Sequence, residues 1–121
     1  MASRVLILED DPFIALDLQS MLEDEGYDVM GPVASARQAL DLIARDGKPD
    51  CALLDFFVSG GTTVDVAREF ETRGVPFMFL TGNSRDAKTA IQRDALCNKT
   101  RVRTKPFLQN RIMDDVSEML G

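Results

Sequence analysis

The sequence predicts an α/β fold in which five parallel strands form one doubly wound sheet, (βα)5, and three observations predict it. Five short apolar runs recur along the chain, at residues 5–8 (VLIL), 27–30 (YDVM), 51–54 (CALL), 76–80 (PFMFL) and around Val102. Segments of helical period separate them, so the pattern reads as strand then helix repeated to the end. The first, third and fourth runs are almost wholly apolar instead of alternating, which suits central parallel strands covered by helices on both faces.

The elements follow in order. After the first run, Asp11 supplies an N-cap and Pro12 a first-turn proline; Ile14, Leu18, Met21 and Leu22 then fall on one helical face, and Gly26 closes it. Ser35 caps a second helix that carries Ala39, Leu40 and Ile43. Gly60 and Gly61 mark a loop before a third helix with Val64, Ala67 and Phe70, ended by Gly74. Residues 85–96 are polar, with only Ala87, Ala90, Ile91, Ala95 and Leu96 to bury, so a fourth helix there is expected to be thinly packed and mobile. The last helix sets Leu108, Ile112, Val116 and Leu120 four apart on one stripe, with Asp114, Asp115 and Glu118 largely outside it.

At 121 residues the chain fits one domain, 1–121, long enough to bury about two thirds of the surface that its unfolded form exposes. With 45% apolar and 28% charged residues, the composition is that of a soluble globule. A net charge of −6 argues against a nucleic-acid surface, which needs clustered Lys and Arg. Cys51 and Cys97 lack C-x-x-C spacing and the chain contains no His, so the common Cys/His zinc sites are excluded and a reducing compartment suits the thiols. No apolar stretch approaches membrane-spanning length and no leader pattern opens the sequence. The expected location is the cytoplasm, without membrane contact.

Reactive groups of such sheets gather in the loops at the strands' carboxyl ends. There Glu9, Asp10 and Asp11 end the first strand, and Asp55 ends the third. Two carboxylates about 4 Å apart repel by roughly 4 kcal/mol at an effective dielectric of 20, which a cation or a proton must relieve. Oxygen ligands without His or Cys point to Mg2+. The plainer reading is that Asp10 and Asp11 cap the first helix and Asp55 caps a loop. Thr81 ends the fourth strand and Lys105 the fifth, adding a hydroxyl and an ammonium to the same edge. Singly, they read as a strand-end hydroxyl and a solvated lysine; jointly with the acids, they are what a phosphoryl group needs, because its oxygens must all be neutralised or hydrogen-bonded during transfer. Pro106 leaves two alternatives open, a cis bond that turns Lys105 inward and a trans proline that starts the last helix.

In order, spacing and coverage, VLILEDD at the start, PDCALLD around Asp55, FLTG ending at Gly82 and TKPF near the end resemble the response-regulator receiver (CheY-like) family of two-component signalling. The resemblance implies a flavodoxin-like sheet in strand order 2-1-3-4-5. It implies that Glu9 and Asp10 are the metal-binding acidic pair, Asp55 the phosphoacceptor, Thr81 the phosphoryl-contacting hydroxyl and Lys105 the basic partner. The backbone carbonyl of Phe57 would complete the shell of Mg2+, for which Mn2+ substitutes. The partners implied are a histidine kinase or phosphotransfer protein as donor and a downstream protein as target. Such a module is not an enzyme on a separate substrate, since it catalyses only its own phosphorylation and dephosphorylation.

Some positions depart from the common receiver pattern. Val102 stands where an aromatic switch residue is usual, and a valine cannot swing between rotamers as Tyr or Phe does. VSGG replaces the frequent Leu-Pro-Gly pattern after Asp55, while Pro76 with FMFLTG resembles the subgroup with a Phe-Ala-Thr-Gly-type motif; Ser84 stands where that subgroup has a tyrosine. Output is therefore expected through residues 82–96. Whether the module stands alone or belongs to a hybrid kinase stays open, and the alternative function is a receiver-like interaction module that works without phosphorylation. A flavin carrier or aspartyl phosphatase on the same sheet fits poorly, since three acids follow the first strand where a flavin phosphate or a D-x-D nucleophile belongs.

Overall fold

The computed structural model of the protein describes residues 2–58, 61–82, 85, 88, 89, 92 and 101–121. Strand β1 (Arg4–Leu8) is followed by α1 (Pro12–Asp24), β2 (Asp28–Val33), α2 (Ala36–Asp46), β3 (Cys51–Asp55), a pair of two-residue strands β4 (Phe57–Val58) and β5 (Gly61–Thr62), α3 (Val64–Arg73), β6 (Phe77–Thr81), β7 (Arg101–Thr104) and α4 (Gln109–Leu120). The five longer strands make one sheet in the order β2-β1-β3-β6-β7, every pair parallel. Counting only those strands, the order is 2-1-3-4-5, so the doubly wound α/β fold is the one expected.

Period-two alternation explains why the central strands carry no polar face. Leu6, Leu8, Ala52, Leu54 and Phe79 point to one side, where they pack with Ala39 and Ile43 of α2 and with Val66, Ala67 and Phe70 of α3. Val5, Ile7, Leu53, Met78 and Leu80 point to the other, against Leu18 and Leu22 of α1 and Ile112 and Val116 of α4. Each face is dry, so the sequence of these strands has to be apolar throughout. Phe56, Phe77 and Phe79 add edge-on ring contacts on the α2–α3 side, with centroids 5.2 and 5.6 Å apart.

The ends of the helices obey local chemistry. Asp11 caps α1, accepting from Phe13 and Ile14 main-chain N–H at 2.9 and 3.3 Å, and Ser35 accepts from Gln38 N–H at 3.2 Å. Gly74 ends α3 in the left-handed conformation, φ 71°. Among residues 85–96, Arg85, Lys88, Thr89 and Gln92 are helical; the rest of the expected fourth helix, with Cys97, lies outside the described residues. No described helix is long and apolar enough to cross a membrane.

Three details differ from the sequence reading. β2 starts one residue later than the apolar run and extends through Gly31 and Pro32 to Val33, with a register break against β1 between Leu6 and Leu8. It is an edge strand, where a proline without an N–H is tolerated. The segment after β3, read from its glycines simply as a loop, carries the antiparallel β4–β5 pair, Phe57 opposite Thr62. In α4, Leu108 is the residue before the helix and is 66% exposed, whereas Asp115, assigned to the solvent side, is only 6% exposed. Its carboxylate takes two bonds from Arg103 on β7, both 2.9 Å. A charge at the border of an apolar stripe is buried here because a partner on a distant strand reaches it, and helical periodicity carries no information about that partner.

Candidate functional site

Four strand ends converge at the carboxyl edge of the sheet. Glu9 follows β1 directly, and its main-chain N–H donates to the Val33 carbonyl at 2.9 Å. The register break in β2 is what brings Val33 level with Leu8 and so presents that carbonyl. Gly31 permits the break: its φ is +93°, and a Cβ there would meet the Val33 nitrogen at 2.7 Å and the Ile7 carbonyl at 3.1 Å. The Glu9 residue is 2% exposed, whereas Asp10 beside it is exposed.

Asp55 is the last residue of β3 and 6% exposed. The next residue, Phe56, donates its N–H to the Leu80 carbonyl at 2.8 Å, continuing the β3–β6 ladder past the site. Thr81, one residue beyond Leu80, is 1% exposed. Its carbonyl accepts the main-chain N–H of Lys105 at 2.7 Å, which ties the end of β7 to the end of β6. The Lys105–Pro106 bond is cis, the first of the two alternatives that the sequence leaves open. The Lys105 side chain runs inward, its Nζ 2.5 Å from Glu9 Oε1 and 3.2 Å from Asp55 Oδ1.

Glu9, Asp10 and Asp55 each offer one carboxylate oxygen, all within 4.8 Å of one another. Such an all-oxygen donor set fits a hard divalent cation such as Mg2+. Phe57 begins β4 two residues beyond Asp55, and its side chain is about half exposed. Burial, then the hydrogen bond and charge of Glu9, push the Asp55 carboxyl up to about 8 from its ordinary 3.8, against the opposing pull of Lys105. For Lys105, burial acts to lower its pKa, but the bonds and charges of Glu9 and Asp55 outweigh it, so the ammonium is held more firmly than usual. A proton held on Asp55 thus relieves part of the repulsion between its carboxylate and that of Glu9.

The structure therefore brings Glu9, Asp10, Asp55 and Lys105 together and buries Thr81 at the neighbouring strand end, while Asp11 does the plain work of an N-cap. Sequence reasoning missed two features. Lys105 lies nearer Glu9 than Asp55, and Thr63, fully buried, donates its hydroxyl to the Asp55 main-chain carbonyl at 2.8 Å. A threonine just ahead of an apolar helical pattern signals an N-cap, so its actual partner had no mark in the sequence.

The response regulator receiver domain model matches residues 5–117. The chain belongs to this family. The receiver domain is 34% identical over 93 residues to the transcriptional regulatory protein PdtaR of Mycobacterium tuberculosis, a match that covers 76% of this chain and 45% of that protein. It is 31% identical over 83 residues to the phyllosphere-induced regulator PhyR of Methylorubrum extorquens, covering 67% of this chain and 31% of PhyR. The chain thus spans less than half of the length of these curated relatives. Among solved structures, the PhyR response regulator REC domain of Erythrobacter litoralis superposes with a TM-score of 0.83 at 26% identity, covering 98% of this chain and 90% of that one. A sensor protein from Polaromonas sp. JS666 gives 0.82 at 29% identity, covering 98% and 95%. The receiver domain is accordingly a module of two-component signalling.

Proposed function

We propose that this receiver domain takes a phosphoryl group onto Asp55 from a phosphohistidine of a histidine kinase or phosphotransfer protein, in a reaction that depends on Mg2+, and passes the signal to a protein target in the cytoplasm. The observation that carries the reading is the convergence of Glu9, Asp10 and Asp55 within 4.8 Å, with Lys105 Nζ 3.2 Å from Asp55. Glu9, Asp10, the Asp55 carboxylate and the Phe57 carbonyl would hold the cation. When bound, the cation supplies charge neutralisation to the phosphoryl oxygens.

The chain's own residues do the rest. With its proton displaced when the cation is bound, an Asp55 carboxylate oxygen forms the new P–O bond while the P–N bond of the phosphohistidine breaks, and the departing imidazole nitrogen takes up a proton from solvent. The Lys105 ammonium leaves its share of Asp55 for the oxygens of the incoming group, and the Thr81 hydroxyl donates to one of them. Water later hydrolyses the acyl phosphate. The module acts on no separate substrate, so it is not an enzyme in the usual sense.

The exposed apolar surface supports a protein rather than a small molecule as the natural donor. Among the described residues, the exposed large apolar side chains are Phe13, Leu16, Phe57 and Leu108. All follow closely on site residues or, for Leu16, line with Glu9 and Asp10 an open hollow of ≈ 380 Å³. Exposed Phe and Leu side chains close in sequence to site residues suit a folded partner, because aromatic residues are enriched in protein contact surfaces. The net charge of −6 speaks against nucleic acid as that partner. Output through residues 82–96 falls mostly outside the described residues; Val102, in the usual aromatic position, packs partly buried against the α2–α3 side of the core.

Incubation with acetyl phosphate and Mg2+ tests the reading. The expected result is one hydroxylamine-sensitive phosphoryl group per chain, lost on chelation and in Asp55→Asn. Normal binding of a partner by an Asp55→Asn protein, with no labelling of the wild type, would instead establish a phosphorylation-independent module.

A further inference from the structure

We propose that Thr63 is a positioning residue for the cation site and for the nucleophile Asp55, an inference that rests on the function proposed above. Thr63 is completely buried and occupies the position immediately before α3. A threonine there ordinarily turns its hydroxyl onto the first free N–H groups of the helix. This one makes no cap bond. Its hydroxyl donates instead to the main-chain carbonyl of Asp55 at 2.8 Å, and its own N–H donates to the carbonyl of Phe56 at 3.1 Å.

The consequence follows from the planarity of the peptide bond. The Asp55 carbonyl and the Phe56 N–H belong to one peptide unit, and that unit is held at both ends, by Thr63 on one side and by the Leu80 carbonyl, 2.8 Å from the Phe56 nitrogen, on the other. The next unit is held at its carbonyl by the Thr63 N–H. Two successive planes are thereby fixed just where the chain leaves β3. The first sets the direction in which the Asp55 side chain leaves the backbone, and the second delivers the chain to Phe57, whose carbonyl belongs to the same proposed shell. A hydroxyl withdrawn from capping and spent on these planes serves the geometry of the site rather than the stability of the helix. Loss of the hydroxyl takes no cap from α3 but removes a buried bond from the Asp55 carbonyl, so folding and the site are read by separate measurements.

The test compares wild type, Thr63→Val, Thr63→Ala, Thr63→Ser and Asp55→Asn. Three quantities are measured: the Kd for Mg2+ by calorimetry without any phosphoryl donor, the rate of labelling by acetyl phosphate at saturating Mg2+, and the thermal midpoint. Outer-sphere partners of ligands are worth on the order of 10-fold or more in metal affinity. Thr63→Val should weaken Mg2+ binding by about that factor and slow labelling even at saturating Mg2+, with Thr63→Ser restored to within about 2-fold of wild type. Thr63→Ala, read at low temperature, supplies the second hydroxyl-free form should the valine not be accommodated. Wild-type Kd and wild-type labelling rate in the hydroxyl-free forms, even with a lowered midpoint, would overturn the inference by leaving Thr63 a structural tie alone, as would a serine form as defective as the valine. An unlabelled wild type, or equal labelling of Asp55→Asn, would instead overturn the proposed function itself, and the role of Thr63 with it.

Discussion

At the centre of the site one ammonium serves two carboxylates, 2.5 Å from Glu9 and 3.2 Å from Asp55. The shorter bond anchors Lys105, so the longer one is free to be exchanged for an incoming anionic group without casting the lysine loose. The same crowding has a consequence for stability. Asp55 is raised to about 8 in the folded, cation-free protein from an ordinary 3.8, through burial and then Glu9. Below the ordinary value the group is protonated folded or unfolded and imposes no penalty. As pH rises from about 4 to about 8, the unfolded chain loses the proton and the folded one keeps it, so the stability contributed by Asp55 falls, and above about 8 the loss is complete. The thermal midpoint of Asp55→Asn minus that of wild type, measured without divalent ions, should therefore grow across this window. Saturating Mg2+ should remove the trend. A difference that stays flat from pH 4 to 8 in chelator would contradict the shift.

Two elements hold the site at a distance. In β2 the break at Gly31 and Pro32 exists so that the Val33 carbonyl can meet the Glu9 N–H. Gly31→Ala puts a methyl 2.7 Å from the Val33 nitrogen at a φ of +93°. It should cost about 2 kcal/mol in chemical denaturation and weaken Mg2+ binding through displacement of Glu9; an unchanged Kd would show that Glu9 does not depend on the break. In α4, Asp115 joins the helix to β7 through Arg103 at 2.9 Å, with Arg101 3.6 Å from the same carboxylate and 2.7 Å from Glu118. Arg103 keeps 36% of its side chain exposed, so solvent screens part of this attraction. Asp115→Ala should cost about 1–2 kcal/mol, less than the roughly 3–5 kcal/mol that loss of a fully buried ion-pair partner entails. Denaturant titration with an unchanged midpoint would assign the pair no weight in joining helix to strand.

On the scale of the whole molecule, the large apolar side chains exposed among the described residues lie close in sequence to site residues or, for Leu16, line a hollow with Glu9 and Asp10. Foremost is Phe13, 80% exposed in the first turn of α1, just after the acidic residues that follow β1. Phe13 has no role in the proposed chemistry, and its loss should leave labelling by a small donor intact. Phe13→Ala is expected to be labelled by acetyl phosphate at the wild-type rate and by a phosphorylated donor protein about 10-fold more slowly at subsaturating donor, the weight of one truncated aromatic contact. Equal slowing with both donors would place Phe13 in the folding of the site rather than in the contact surface.

How much of this was legible beforehand depends on the range of the forces involved. Burial of both sheet faces forces apolar runs into β1, β3 and β6, and capping forces Asp11 and Ser35 before α1 and α2, so those elements are written in consecutive residues and could be read there. That Glu9, Asp10, Asp55, Thr81 and Lys105 would lie at one edge was legible as well, because a parallel sheet delivers every strand end to the same side. Contacts between residues far apart in the chain were not. That Lys105 leans on Glu9, that Thr63 abandons its helix for Asp55, that Asp115 is buried by Arg103 and that Gly31 breaks a register to seat Glu9 are decided by how the strands pack. Local pattern fixed the kinds of group that meet; only the folded chain, which chooses each partner by distance and direction, fixed who holds whom.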